Sequence, residues 1–371
     1  MSPSNRCASI VRFSRVLRRA LPAVTLVAAV PRPERARAAA DDAGAATEIT
    51  GPTLGLSTLV LTSYTSNLFH EQRRRQSDFT SKGGPGERFA GMSGPADFLT
   101  ELGIKGSSAW PRDTNRKVVL SAEARYFLHL RNAVANYARL EIGARYDLTR
   151  RNTITLQVTG TPKRFRKNYA ARLFAGNRVY EPAWYRELDL AAGHRRKWSK
   201  RWKTEAQYVP EIRRYLAPFK NRSYHRHELG LHVRRDVGDY LEASVGARGA
   251  LTWTPSDLEL GVPVERSHRE LAAVAAIGLA LPARVAAELE GEYRVRRYTA
   301  TVVANDSYFG RTDHRTVVTV GVKRRLGDSF VVLVEASFTQ NETNRRDHPN
   351  VDPGELGYDE AVAAVGVKGT F

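Results

Sequence analysis

Only one cysteine, Cys7, occurs in 371 residues, so no disulfide framework and no Cys-based metal site is available. Methionine is almost as scarce, with two residues, and no uninterrupted apolar run approaches the roughly 20 residues of a membrane-spanning helix. A helical membrane protein is excluded. Acidic residues are outnumbered, 39 against 58 Lys and Arg, which leaves a net charge of +19. A surplus of that size points to nucleic acid, an anionic surface or acidic solutes. The basic residues are spread along the whole chain, however, with no zinc-finger spacing and no aromatic RNA-binding signature, so nucleic acid is not an expected partner. Also absent are a Gly-rich phosphate loop, a zincin helix and a nucleophile elbow. No enzyme activity and no cofactor are expected. His225, His227 and His232 cluster without Cys or assignable carboxylate partners, so no metal site is assigned to them.

What is present is organised at both ends. Arg6, Arg12, Arg15, Arg18 and Arg19 precede an apolar stretch from Ala20 to Val30, and the tract Ala36-Arg37-Ala38-Ala39-Ala40 leads into Asp41-Asp42. That is the order of a secretory signal, expected over residues 1–40, with a short periplasmic lead over 41–53. Removing residues 1–40 takes away eight Arg and one Glu and lowers the net charge from +19 to +12.

At the other end, Ala361, Ala363, Val365, Val367 and Gly369 alternate with Glu360, Gly366, Lys368 and Thr370 before the final Phe371. A period of two marks a strand with one apolar and one polar face. The pattern recurs along the chain. Val118, Leu120, Ala122, Ala124 and Tyr126 oppose Ser121, Glu123 and Arg125, while Leu140, Ile142 and Ala144 oppose Arg139, Glu141 and Arg145. Leu241, Ala243, Val245 and Ala247 oppose Glu242 and Arg248; Val285, Ala287, Leu289 and Tyr293 oppose Glu288, Glu290, Glu292, Arg294 and Arg296. Such rows of charge fit neither a lipid face nor a packed core.

Fourteen strands are expected between residues 54 and 371. Short turns follow the even-numbered strands and mostly longer polar segments follow the odd ones, including Pro162 to Pro182, read as a basic loop. Pro210 falls inside a strand and implies a bulge or an extension beyond the membrane. Even strand number, alternating loop length and two-faced strands together predict an all-β, antiparallel, up-and-down transmembrane barrel closed between its first and last strands. Tyr126, Tyr146, Trp184, Trp198, Trp253, Tyr293 and Phe330 are placed at strand ends as interfacial aromatics.

The last strand, with its terminal Phe371, resembles the C-terminal signal of Gram-negative outer-membrane β-barrels. The segment Tyr64-Thr65-Ser66-Asn67-Leu68-Phe69, followed by Ser77-Asp78-Phe79, resembles the start of porin-type barrels. The resemblance implies an outer-membrane location and reading of Phe371 by the barrel assembly machinery. Basic outer loops would then pair with lipopolysaccharide phosphates. The interior would be lined by Glu123, Arg125, Arg139, Glu141, Arg145, Arg248, Glu288, Glu290, Glu292, Arg294, Arg296 and Lys368, with the arginines attracting anions. Cross-strand ion pairs among these leave two outcomes, an open charged pore or a lumen knitted shut. The function implied is a porin-like channel for passive diffusion of small polar or anionic solutes. A non-conducting or export-associated envelope barrel and a hydrolase on the barrel rim stand as alternatives.

Overall fold

Backbone N–H and C=O groups have no partner in hydrocarbon, so a sheet made of two-faced strands can span a membrane only by closing on itself. The computed structural model describes residues 52–71, 87–112, 116–174, 177–255, 257–259, 262–264, 266–299, 308, 310–345 and 357–371, and in it the sheet closes. The expected signal, Arg73-Arg74-Arg75 and the Gly-rich section at 83–86 lie outside the described residues.

The strands are β1 (Thr53–Thr65), β2 (Asp97–Pro111), β3 (Lys117–His129), β4 (Tyr137–Asp147), β5 (Asn152–Phe174), β6 (Asn177–Lys197), β7 (Trp202–Tyr215), β8 (Tyr224–Val237) and β9 (Leu241–Trp253), then β10 (Asp257–Glu259), β11 (Val262–Val264), β12 (His268–Leu281), β13 (Val285–Tyr298), β14 (Arg311–Leu326), β15 (Phe330–Arg345) and β16 (Tyr358–Thr370). All but β10 and β11, a small hairpin after β9, form one closed antiparallel barrel of fourteen strands. Closure is made by β1 against β16, from Ser57 opposite Thr370 to Thr65 opposite Val362. Phe371 completes that ladder, since its N–H donates to Leu56 O at 2.7 Å and its C=O accepts from Leu56 N at 3.0 Å.

The apolar set of each strand points outward. Ile142 and Leu271 are both 67% exposed, and Leu229 is 64% exposed, with Val60, Ile104, Leu156, Val245 and Leu289 exposed beside them. An exterior this apolar is the surface of a barrel embedded in lipid rather than water. Trp198 and Phe330 lie on it at the short-turn rim; Tyr126, Trp253 and Tyr293 lie toward the long-loop rim. Trp184 does not join either belt: it packs on Phe165 at 5.3 Å, beneath Lys163.

Two stretches differ from expectation. Of the segment Pro162 to Pro182, read as a loop, residues 162–174 and 177–182 are strand: β5 and β6 stay paired there as a ribbon beyond the neighbouring strands. Register shifts between Thr161 and Arg164, Phe165 and Lys167, and Ala170 and Arg172 break the alternation that sequence reading depends on. Pro210 causes no register shift. Pairing of β6 with β7 skips from Asp189/Glu211 to Ala192/Tyr208, whereas β8 pairs across it without interruption, as a missing N–H on one side requires.

Candidate functional site

Turning the apolar set outward forces the charged set inward, and its register then decides which charges meet. Across β2, β3 and β4, Lys105 reaches Glu123 at 3.0 Å and Glu141 at 3.9 Å, while Arg125 bridges Glu123 and Glu101, the latter at 2.8 Å. These pairs tie β2, β3 and β4 together on one inner face.

A longer ladder crosses β6 to β13. Arg213 binds Glu187 and Glu211; Arg226 lies 3.7 Å from Glu211 and binds Glu228; Arg248 lies 3.8 Å from Glu228 and binds Glu292. Arg294 donates to Glu292 at 2.8 Å and to Glu270 at 3.1 Å, and Arg296 to Glu270 at 2.8 Å. Five arginines therefore meet five glutamates, and the ladder is neutral. Residues read from the sequence as anion attractors, Arg125, Arg248, Arg294 and Arg296, are each held by carboxylates of their own barrel. A cation already paired at this range offers less field to a solute than a free one.

The other residues singled out from the sequence lie elsewhere on the inner face. Arg145 pairs with Asp147 at 2.7 Å near the short-turn rim. Glu288 lies 3.6 Å from Lys323, both well exposed. Glu290, on the same face of β13, and Lys368, on β16, are not brought together with these pairs. Arg139 lines a cavity of about 260 Å³ with Gln157, Asp189, Gln207, Glu211 and Arg213. Among the described residues no carboxylate stands within ion-pair distance of Arg139. The histidines separate: His227 bonds Tyr208 and packs edge-on against Trp253 on the outside, while His232 lies over Gly246 inside.

Sequence reading missed the long-loop mouth. The described parts of the first long loop, 66–71 and 87–96, pack there against the closing seam and the β5–β6 ribbon. Its base is fixed by Asn67, whose Nδ2 donates to Glu71 O at 3.0 Å and Asp359 O at 3.1 Å while its Oδ1 accepts from Glu71 N. Phe69 and Phe89 bury against Phe165 and Ala135. Glu71 is clasped by Lys167 at 3.0 Å and Arg88 at 2.9 Å, and Asn168 Nδ2 donates to Ala90 O. His70, at a left-handed φ of 51°, stacks on Tyr358 with centroids 4.8 Å apart. Its Nδ1 faces Arg166 Nη2 at 3.3 Å and its Nε2 faces Glu360 at 3.2 Å. A guanidinium only donates, so Nδ1 accepts and Nε2–H donates, which fixes a neutral imidazole.

Acid should therefore loosen this loop. Burial lowers the His70 pKa from its ordinary 6.5, with Arg166 and Arg315 adding to the effect and Glu360 opposing it. For Glu71 burial acts upward, but Lys167 and Arg88 prevail and leave its carboxyl below the ordinary 4.5. Both groups take up protons more readily once the loop is released. The His70 contribution is complete above pH 6.5 and fades as pH falls below it; that of Glu71 is lost below about pH 4.5. Hydrogen exchange at residues 67–71, corrected for intrinsic rates, is expected to rise between pH 7 and pH 5. Flat protection over that range would mean that His70 does not latch the loop.

No family model matches this sequence, and no curated protein does. Among solved structures, the chain is similar to the in-vitro folded trimer form of OmpT, an outer-membrane protein of Vibrio cholerae, at TM-score 0.46 and 8% identity over 87% of this chain and 100% of that one. It is also similar to an anion-selective porin from Comamonas acidovorans, at TM-score 0.40 and 9% identity over 86% and 99% of the two chains. The outer-membrane channel DcaP of Acinetobacter baumannii gives TM-score 0.43 and 10% identity over 86% and 98%. At these scores the likeness adds nothing to what the strand order already establishes.

Proposed function

We propose that the chain is a porin-like channel of the bacterial outer membrane, passing small polar and anionic solutes by diffusion through its charged interior. The observation that carries this reading is a closed fourteen-strand barrel with an apolar exterior and an inner wall of paired Arg and Glu. Fourteen strands give a wider interior than eight-strand barrels, whose side chains fill it. Ion pairs that run along the wall, between strands no more than two apart, stiffen that wall without bridging the lumen. The neutral ladder then provides a polar surface for solutes to pass along, and its paired charges give no strong preference for either sign. Preference is left to cations without partners, of which Arg139 is one. Export of the chain by its N-terminal signal, insertion through the Phe371 strand by the assembly machinery and contact of basic loops with lipopolysaccharide belong to the same reading.

The test is single-channel recording of the purified full chain in planar bilayers. Discrete conductance steps are expected, and a silent barrel would sink the proposal. Arg139→Glu should shift the anion-to-cation permeability ratio toward cations by roughly fivefold, about 1 kcal/mol for a charge facing water at close range. The reversal potential across a salt gradient reads this directly, and an unchanged value would take Arg139 off the solute path.

A further inference from the structure

With the ladder neutral, the surplus positive charge at the mouth stands out. Arg315 of β14 points inward, since Val318, Val320 and Val322 on the alternate positions are exposed outside. Directly across on β13 is Arg294, already engaged by Glu270 and Glu292; directly across on β15 is Asn341. Two arginines opposite each other repel unless something neutralises them. Arg315 has no carboxylate within ion-pair distance among the described residues, and its Nε is buried with no hydrogen-bond partner. Among the described residues Arg166 is also without a carboxylate and bonds His70.

These two guanidinium groups converge. Arg166 faces the His70 ring at 3.3 Å, and Arg315 shares one inward cross-strand row with Asn341 and Tyr358 over β14, β15 and β16, so both meet the two rings of the stack. Glu360 lies nearby but is already taken by Thr65 Oγ1 at 2.8 Å and by His70. Among the described residues the cluster thus holds two forks, one committed carboxylate and a neutral imidazole, one negative charge short of balance. A buried donor without an acceptor is costly, and a guanidinium most of all.

We propose that the Arg166–Arg315 cluster at the long-loop mouth is a binding site for a small oxyanion, a carboxylate or a phosphate. Planar two-pronged donors match planar or tetrahedral oxyanions better than they match a halide. The flat His70–Tyr358 stack forms one wall of the site. A lipid phosphate does not reach it, because Arg315 faces the lumen and not the outer surface. The inference rests on the channel reading only in taking the anion to be a passing solute.

The test uses the refolded full chain and inorganic phosphate or acetate against chloride at equal ionic strength. Phosphate added on the loop side should reduce single-channel current and raise the thermal unfolding midpoint in detergent. Arg315→Gln should weaken both responses by about tenfold or more in phosphate concentration, the loss of one charge-assisted pair. Because Arg315 gives up no ion pair among the described residues, this variant should fold normally; Arg315→Lys should keep part of the response. Arg325→Gln, at the opposite rim, should keep all of it. A conducting barrel that does not respond to phosphate, or responds equally in Arg315→Gln, overturns the site and leaves the channel standing. A silent barrel whose midpoint rises with phosphate in the wild type but not in Arg315→Gln upholds the site and removes the channel.

Discussion

Glu270→Ala is expected to be the most damaging single substitution inside the barrel, lowering its unfolding free energy by about 3 kcal/mol. Glu270 sits on β12 and is only 8% exposed, within reach of four cationic or protonatable groups. Its carboxylate accepts from Arg296 Nε at 2.9 Å and Arg294 Nη1 at 3.1 Å, meets His268 Nε2 at 3.0 Å, and lies 3.5 Å from Arg226. Truncation leaves Arg226 of β8 and Arg294 and Arg296 of β13 facing one another with this carboxylate gone. Breaking a buried pair from one side typically costs about 3–5 kcal/mol, and the lower figure applies where lumen water can partly resolvate the cations. Glu270→Gln should recover little, since its amide replaces an acceptor by a donor aimed at donors. Glu288→Ala is the comparison: that pair with Lys323 is well exposed and should contribute no more than about 0.5 kcal/mol. Urea unfolding of the three variants in lipid vesicles measures the difference. Equal midpoints for Glu270→Ala and Glu288→Ala would show that the ladder is not cooperative around Glu270.

The barrel was legible in the sequence because its signal repeats. A two-residue period in one strand is weak, but Leu140, Ile142 and Ala144 against Arg139, Glu141 and Arg145 repeats what Leu241 to Ala247 and Val285 to Tyr293 show, with loop length alternating in step. Legibility ended where the period broke. Three register shifts in the β5–β6 ribbon scramble the alternation between Thr161 and Arg172, so a paired ribbon reads as a basic loop and Arg166 disappears into it. Charge pairing was hidden for a different reason. Arg248 and Glu292 are 44 positions apart, and they meet because β9 and β13 both flank β12. Periodicity tells which face a charge occupies; only register tells whether it is already neutralised. Of the arginines read as facing solutes, all but Arg139 are paired among the described residues. Arg315, in an ordinary strand start with Asp313 two residues away, gave no sign that Asp313 would be claimed by Arg311.

The seam that closes the barrel is the other point of high sensitivity, and Gly366→Val is expected to abolish most of the folded population. Gly366 is the inward-facing residue of β16 paired with Leu61 of β1 on one side and Leu333 of β15 on the other. A Cβ built there would lie 2.7 Å from Val60 O, 2.7 Å from Leu61 Cδ1 and 3.0 Å from Leu61 Cα. The Leu61 side chain can rotate away, but the β1 backbone cannot, because Leu61 is held in its ladder with Glu101 of β2. Overpacking alone costs about 1–3 kcal/mol; forcing β1 from β16 adds unpaired N–H and C=O groups at several kcal/mol each in hydrocarbon. Gly321→Val on β14 is the control, since nothing lies within 4 Å of a Cβ at that position, and a β-branched residue should be tolerated in the strand. The folded fraction is read from the mobility of unheated samples in SDS gels, where a closed barrel migrates as a compact species. Equal folding of the two variants would mean that β1 and β16 approach less closely than their register implies. Loss confined to Gly366→Val would place a tight tolerance of the barrel a few residues from Phe371, at the one ladder that joins the two ends of the sheet.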